Sequence, residues 1–534
     1  MKKSRKTTLT LLCAALIAAS AAGCAQKQAE NTANKYPAGE VTYPIKTEGE
    51  KVTFWVGLNS AVSKFVTTAT DTQYAQEANK RTGINVEFVH PPAGQEETKF
   101  NLLLASGSMP DIIAWDWMNL SDDIDDLIDK GYITKLNGAM EGYIPNMTKY
   151  IKTIDGLDKL LQTDGGNYYV FPFIRGDKKL YTSAGLVIRR DWLEKLNLPI
   201  PETTDEMETT LRAFKNELGI KAPLTMLKSN VRYLLGMCSS TNTFYVDNGT
   251  IKFGPAESEY KDAVIRLNKW FNEGLLDKNY VSTDSTLLDS NMLNGVSGVT
   301  YASGGSGVGK WLDTMSSKGE SFDIVGIPFL SLKKGESPKF DASDSAYAPY
   351  GSTAITSSCK NPELAAKYLD YSYSDEGYML YNFGIEGVSY TMVDNQPVYT
   401  DEIMHNSEGL TVSQAMGKYF VAANEGPFIQ DKRCIEQYYA RPQQQESLSN
   451  WSKFIDTSSL TKLPVLTYTA EESAEYANIM ADVTKLVDEN TAQLISGTMP
   501  LSSYDSYLNS LAELKIERAT EIVQTAYNRY LNRK

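Results

Sequence analysis

Between Lys51 and Trp115 the chain alternates β-rich apolar runs with helical stretches, a pattern that few folds outside the α/β class accept. Residues 51–56 form the first run. A helical stretch over 74–81 follows and ends at Gly83, which takes the left-handed conformation after a helix without steric penalty. Residues 84–89 form a second β run. The next helix, 96–105, puts Phe100, Leu103 and Leu104 on one stripe and stops at Gly107. A third β run spans 111–115. This spacing predicts right-handed βαβ units in a parallel sheet.

The pattern then restarts. Residues 168–173 read as extended, 185–189 as a strand, and 191–196 as a short amphipathic helix before Pro199 and Pro201. Thr204 is expected to cap a helix with Met207, Leu211 and Phe214 on its inner stripe. A helix over 263–271 and strands over 298–301 and 323–328 complete a second α/β body. At 534 residues the chain can bury two such cores without disulfide or metal staples. Near the end, Tyr504, Leu508 and Leu511 share one helical stripe, but Ala519, Val523, Ala526 and Tyr530 lie on another displaced by about one residue. A break is therefore expected near Lys515.

The first 23 residues read as a leader rather than as structure. Lys2, Lys3, Arg5 and Lys6 precede an apolar run from 9 to 22 that is too short to span a bilayer. It ends Ala21-Ala22-Gly23-Cys24, which resembles a bacterial lipobox with Ala21 where leucine is usual. That resemblance implies lipid on Cys24, acyl chains such as palmitate included, and two or more chains anchor stably at about 0.8 kcal/mol per buried methylene. Residues 24–50 lack periodicity and read as a flexible tether.

Charge and composition exclude several function classes. With 52 basic against 66 acidic side chains the net charge is −14, falling to −18 once the four leader cations are removed, which argues against a nucleic-acid partner. Only His90 and His405 are present, so a multi-histidine metal site is impossible; neither metal nor cofactor is expected. Past the leader, Cys238, Cys359 and Cys434 are widely spaced and read as free thiols.

Local motifs fare no better as chemistry. Residues 304–310 satisfy GxxxxGK, but Trp311 stands where a phosphate loop needs Ser or Thr. The segment reads instead as a flexible loop whose bare backbone suits close approach of a polar ligand. Asp122, Asp123, Asp125, Asp126 and Asp129 lack the glycine and terminal glutamate of an EF-type loop and read as the acidic start of a helix. No GxSxG, HExxH or Cys–His signature occurs, and no carboxylate pair stands out. What does stand out is aromatic beside polar residues at strand exits, where parallel α/β sheets bind ligands. Those exits carry Asn59, then Trp115, Asp116 and Trp117, and later Tyr301 and Ser303. Flat rings suit the C–H face of a sugar, and charged side chains suit its hydroxyls.

Several stretches together resemble extracellular solute-binding proteins of family 1, specifically LipO-like lipoproteins of Gram-positive bacteria. They are residues 100–113, with Ala105-Ser106-Gly107-Ser108-Met109-Pro110-Asp111; residues 189–196, Arg-Arg-Asp-Trp-Leu-Glu-Lys-Leu; and residues 361–387, from Asn361-Pro362 through Ser374-Asp375-Glu376-Gly377 to Gly387. The resemblance implies a periplasmic-binding-protein type II fold, two α/β lobes joined by a hinge with crossing strands. Its topology places lobe 1 in residues 51–172 plus 347–395 and lobe 2 in 173–346 plus 400–534. It implies a monomeric, lipid-anchored receptor on the extracellular face of the cell membrane. Such a receptor captures a carbohydrate, expected to be an oligosaccharide, and delivers it to permease subunits of an ABC-type importer without catalysing a reaction. Arg175, Tyr350 and Glu386 then join Asn59, Trp115, Asp116, Trp117, Tyr301 and Ser303 as expected ligand contacts. Competing classes are a secreted carbohydrate-active enzyme, which would show turnover, and a lipoprotein that senses ligand without transport.

Overall fold

The computed structural model describes residues 41–533 apart from 121–122, 422–425 and 459–460. The leader, Cys24, most of the expected tether and Asp122 lie outside the described residues. The end of the tether does not float: Tyr43 donates its hydroxyl to the Lys367 carbonyl at 2.7 Å, and its ring meets Tyr371 edge-on. Ile45 N–H bonds the Thr82 carbonyl at 2.8 Å, so residues 41–50 are packed, which corrects the expectation of flexibility there. Gly83 is required twice over, by its φ of +73° and because a Cβ there would lie 2.4 Å from the Ile45 carbonyl oxygen.

In chain order the strands are β1 (Lys51–Trp55), β2 (Asn85–Val89), β3 (Ile112–Ala114), β4 (Phe171–Arg175) and β5 (Ala184–Arg189). Then come the hairpin β6 (Phe244–Asp247) and β7 (Thr250–Phe253), followed by β8 (Val299–Ser303) and β9 (Ile324–Gly326). The last are β10 (Tyr347–Ile355), the hairpin β11 (Tyr390–Val393) and β12 (Gln396–Tyr399), and β13 (Ile429–Gln430). One sheet has the order β13-β4-β10-β3-β1-β2. Within it β1 pairs parallel with both β2 and β3, as the βαβ spacing predicts, whereas β10 runs antiparallel to β3 and β4. A second sheet, β8-β5-β9, is antiparallel on both sides of β5.

The two largest hydrophobic clusters among the described residues accompany the two sheets. The first runs from Val52 to Ile355 without the segment 175–346, and adds Leu364 to Tyr381, Phe428 and Ile429. The second runs from Leu186 to Leu330 and adds Leu466 to Ala526. The chain thus leaves the first body after β4 and returns to it at β10. The stretch after residue 400, which the resemblance assigns to the second lobe, begins on the first: helix Val412–Tyr419 packs on helix Gln73–Thr82, with Gly417 against Val62.

Local chemistry explains the helix bounds. Helix Thr204–Leu218 buries Met207, Leu211 and Phe214 at helical spacing and ends at Gly219 in the left-handed region. Its cap is Thr203, not Thr204. Thr203 Oγ1 accepts from Glu206 N–H while Glu206 accepts from Thr203 N–H, and the Thr204 hydroxyl turns inward to the Met237 carbonyl at 2.5 Å. Among the described residues no disulfide joins Cys238, Cys359 and Cys434; Cys238 and Cys434 are buried and Cys359 is partly so.

Candidate functional site

Among the described residues the chain crosses between the two bodies after β4, before β10 and after β13, and a side chain from β4 ties the first two crossings together. Arg175 is 6% exposed. Its Nη1 donates to the Ser345 carbonyl at 2.9 Å and its Nη2 to Asp344 Oδ2 at 2.8 Å, while its backbone N–H bonds the Ala346 carbonyl. Beside this junction opens a cleft of about 630 Å³. Leu160, Tyr347 and Val465, which pack with the first core, line it together with Tyr233, Phe244, Leu463 and Tyr530, which pack with the second. That volume lies within the range of small-ligand sites.

The cleft wall is aromatic and polar in alternation. Tyr181, Phe340 and Tyr530 line it half-buried, each offering ring surface. Tyr233 stacks on Tyr301 with centroids 3.9 Å apart and planes 4° apart, and the Arg232 guanidinium lies 4.9 Å from the Tyr233 centroid. Lys462 sits 3.2 Å from Asp341, whose side chain is fully buried, and also donates to the Ser343 hydroxyl. Burial lowers the Lys462 ammonium pKa, and Asp341 opposes that shift.

A second cavity of about 240 Å³ lies at the carboxyl ends of β1 and β3. Val56, Gly57, Glu96, Trp115 and Asp116 line it, together with Gly351 of β10. One face of Trp115 is covered by Phe100, at 4.4 Å and 11°. Trp115 and Asp116, expected as ligand contacts, both line this cavity.

The other expected contacts are dispersed. Trp117 is 1% exposed and meets the Phe100 ring edge-on at 5.5 Å, so its indole belongs to the core rather than to a binding surface. Arg175 lines the large cleft, but its donors are committed to the chain crossing. Tyr301 reaches the cleft only through Tyr233. Ser303 bonds Ser306 hydroxyl to hydroxyl at 2.7 Å. Asn59 is exposed and accepts from Ala61 N–H at 2.8 Å, holding a turn. Tyr350 lies within β10, and Glu386 is exposed beside the β11–β12 hairpin. Sequence reading missed Tyr181, Arg232, Tyr233, Phe340, Lys462 and Tyr530, which come from turns and helices; the Tyr-rich composition, 32 residues, bears only on the three tyrosines, and no local signal marks the others.

The glycine segment is not an open loop. Gly304–Gly309 forms a π-helical turn that runs directly into helix Lys310–Ser317. Cβ atoms at Gly304 and Gly309 would collide with Tyr439 and Gln444, so the protein's own side chains occupy the approach expected for a ligand. The acidic segment serves as structure: Asp123 caps helix Ile124–Asp129, and Asp125 accepts from Thr163, Gly165 and Asn167. His90 accepts from Ala69 N–H through Nε2 and contacts the Val56 carbonyl through Nδ1, a structural pairing. Among the described residues no cluster of three His, Cys, Asp or Glu side chains is placed to hold a metal ion, and no helix is long and apolar enough to cross a membrane.

Two α/β bodies around a cleft, joined where the chain crosses between them, define the type II periplasmic-binding architecture. The chain belongs to the bacterial extracellular solute-binding protein family, whose model matches residues 65–379. It is 24% identical to the fructooligosaccharide ABC transporter substrate-binding protein FusA of Streptococcus pneumoniae over 97% of both chains. It is 26% identical to lipoprotein LipO of Bacillus subtilis over 67% of this chain and 73% of that one. Among solved structures, the alginate-binding protein AlgQ2 without calcium superposes with a TM-score of 0.71 at 22% identity, covering 90% of this chain and 98% of its own.

Proposed function

We propose that this protein is the lipid-anchored receptor of an ABC-type importer, capturing an oligosaccharide outside the cell and delivering it to membrane permease subunits. The observation that carries the reading is the 630 Å³ cleft lined from both cores, with half-buried rings beside fixed charged groups. Rings take the C–H faces of a sugar, and the ion pairs offer donors and acceptors to its hydroxyls. Relatives described as binding fructooligosaccharide and polygalacturonan or rhamnogalacturonan support a saccharide as cargo. A ligand that touches both bodies favours the closed arrangement by its higher affinity for that state.

Trp115 and Asp116 contribute a further contact surface at the strand exits, and Arg175 fixes the crossing beside the cleft. The lobes divide at the crossings, with residues 51–175, 347–421 and 428–430 in the first and 176–346 and the C-terminal helices in the second. Cys24 carries the lipid, and the protein acts as a monomer without catalysis. Calorimetry of the full-length protein against a panel of oligosaccharides tests the reading. Stoichiometric binding near micromolar, about −8 kcal/mol, is the expected result, with ligand recovered unchanged. Absence of heat with every saccharide, or steady release of cleavage products, contradicts it.

A further inference from the structure

Strand β10 joins the two cavities. Its register sets Thr353 opposite Ala114, the last residue of β3, and Trp115 N–H bonds the Ser352 carbonyl at 2.9 Å. Because the two strands are antiparallel, residues 347–351 run on past the carboxyl end of β3, where Tyr347 and Ala348 pair with β4. Tyr347, Ala348 and Pro349 line the 630 Å³ cleft, and Gly351 lines the 240 Å³ cavity with Trp115. From Tyr347 to Gly351 an extended chain spans at most about 14 Å, so the backbone walls of the two cavities lie within that distance. Between them the pairing of β10 with β4 shifts register, an irregularity of the kind that re-aims a strand beside a binding site.

The cavities differ in what they offer. Both bodies line the cleft, whereas Phe54, Tyr74, Phe88 and Trp115, which all pack in or on the first core, line the smaller one. Trp115 rests one face on Phe100, so its ring is already held in place and loses little freedom when a sugar meets it. A ligand that fills both cavities must extend through each of them as well as across the span of β10. A disaccharide is too short for that; a trisaccharide or tetrasaccharide is not.

We propose that the cavity at Trp115 is a distal subsite of the cleft and that it makes the protein select trisaccharides and longer chains over disaccharides, an inference that rests on the receptor function proposed above.

The test is calorimetry of the full-length protein with the di-, tri- and tetrasaccharides of the malto-, xylo-, fructo- and galacturono- series. In a series that binds, affinity is expected to rise at least about tenfold from disaccharide to tetrasaccharide, because the second subsite is reached by a chain already held in the first. Gly57→Leu fills the cavity without removing a packed side chain: Gly57 lines it, and a Cβ there would meet only Glu96 Cγ, at 3.9 Å. This variant is expected to erase the gain with length while leaving disaccharide affinity within about twofold of the unmodified protein. Trp115→Ala should do the same, with its melting temperature read alongside because the ring also packs on Phe100. Equal affinity for every length in the unmodified protein overturns the inference while leaving the receptor reading intact. So does a Gly57→Leu protein that keeps the full gain, or one that weakens disaccharide and tetrasaccharide by the same factor. Failure of every series to bind overturns the receptor reading and this inference with it.

Discussion

Glu208 shows how a buried charge is stabilised in the second body. The residue is 8% exposed and accepts from Lys269 Nζ at 2.8 Å, from Trp270 Nε1 at 2.9 Å, and from Arg212. Burial by itself raises its pKa, yet these bonds outweigh that and hold it at about 2. Because the folded pKa is depressed, the stabilisation is complete above the unfolded value and disappears as pH falls through the folded one. Glu208→Gln should therefore cost about 2 kcal/mol at pH 7, and thermal melts should show that gap narrowing as pH is lowered from about 5 toward 3. For binding, Tyr181 is the ring to remove: it is half-buried in the cleft wall and no other ring packs on it among the described residues. Tyr181→Ala should weaken saccharide binding about tenfold by calorimetry while leaving the melting temperature nearly unchanged. Residue-level reading of the sequence expects Trp115 and Asp116 at a strand exit, and both line the cavity at the carboxyl ends of β1 and β3. It placed Trp117 with them because an exit does not reveal which way the next side chain turns. It missed Tyr181 and Lys462 because they converge from segments some 280 residues apart in sequence.

At the scale of elements, periodicity carried most of the information. The displaced stripes between Leu511 and Ala519 located a helix break near Lys515, and the chain breaks there with Lys515 at φ 65° between helices Tyr504–Glu513 and Ile516–Asn532. Lysine is strained in that left-handed conformation, so Lys515→Gly should raise stability by up to about 1 kcal/mol, measured by urea unfolding. The parallel pairing of β1, β2 and β3 was equally legible because it is built from adjacent βαβ units. The insertion of β10 between β3 and β4 was not, since it joins partners more than 170 residues apart whose pairing leaves no local mark. Nor was the seat of helix Pro442–Trp451 on the second sheet. Trp451 donates to the Leu186 carbonyl at 3.0 Å, and Cβ atoms at Gly185 and Gly326 would lie 2.3 and 2.5 Å from its ring. Gly326→Ala should displace that indole and cost about 2 kcal/mol, visible as a lowered melting temperature. The same close packing of side chains on glycine backbone closed the Gly304–Gly309 segment, which composition alone reads as open.

At the scale of the molecule, the two bodies meet at the chain crossings and also at the C-terminus. Arg533 Nη2 binds Asp164 Oδ1 at 2.7 Å and its Nη1 the Lys159 carbonyl at 2.9 Å, while Arg529 binds both Asp164 and Glu472. Burial raises the Asp164 pKa, but the bonds from Arg529 and Arg533 outweigh it and leave it lowered, so this clamp is intact at neutral pH and weakens in acid. It ties the last helix, packed in the second core, to a loop between Leu161 and Tyr169 of the first. Asp164→Asn should loosen that tie and increase hydrogen exchange in Leu157–Leu161 and Ile516–Asn532, with other helices unaffected. On the receptor function proposed above, a ligand that bridges the cleft draws the two bodies together about the crossings. Small-angle scattering of the protein with and without a binding saccharide tests that most directly. A smaller radius of gyration with the saccharide present is the predicted result; superimposable curves, at ligand concentrations that calorimetry shows to be saturating, would contradict the account.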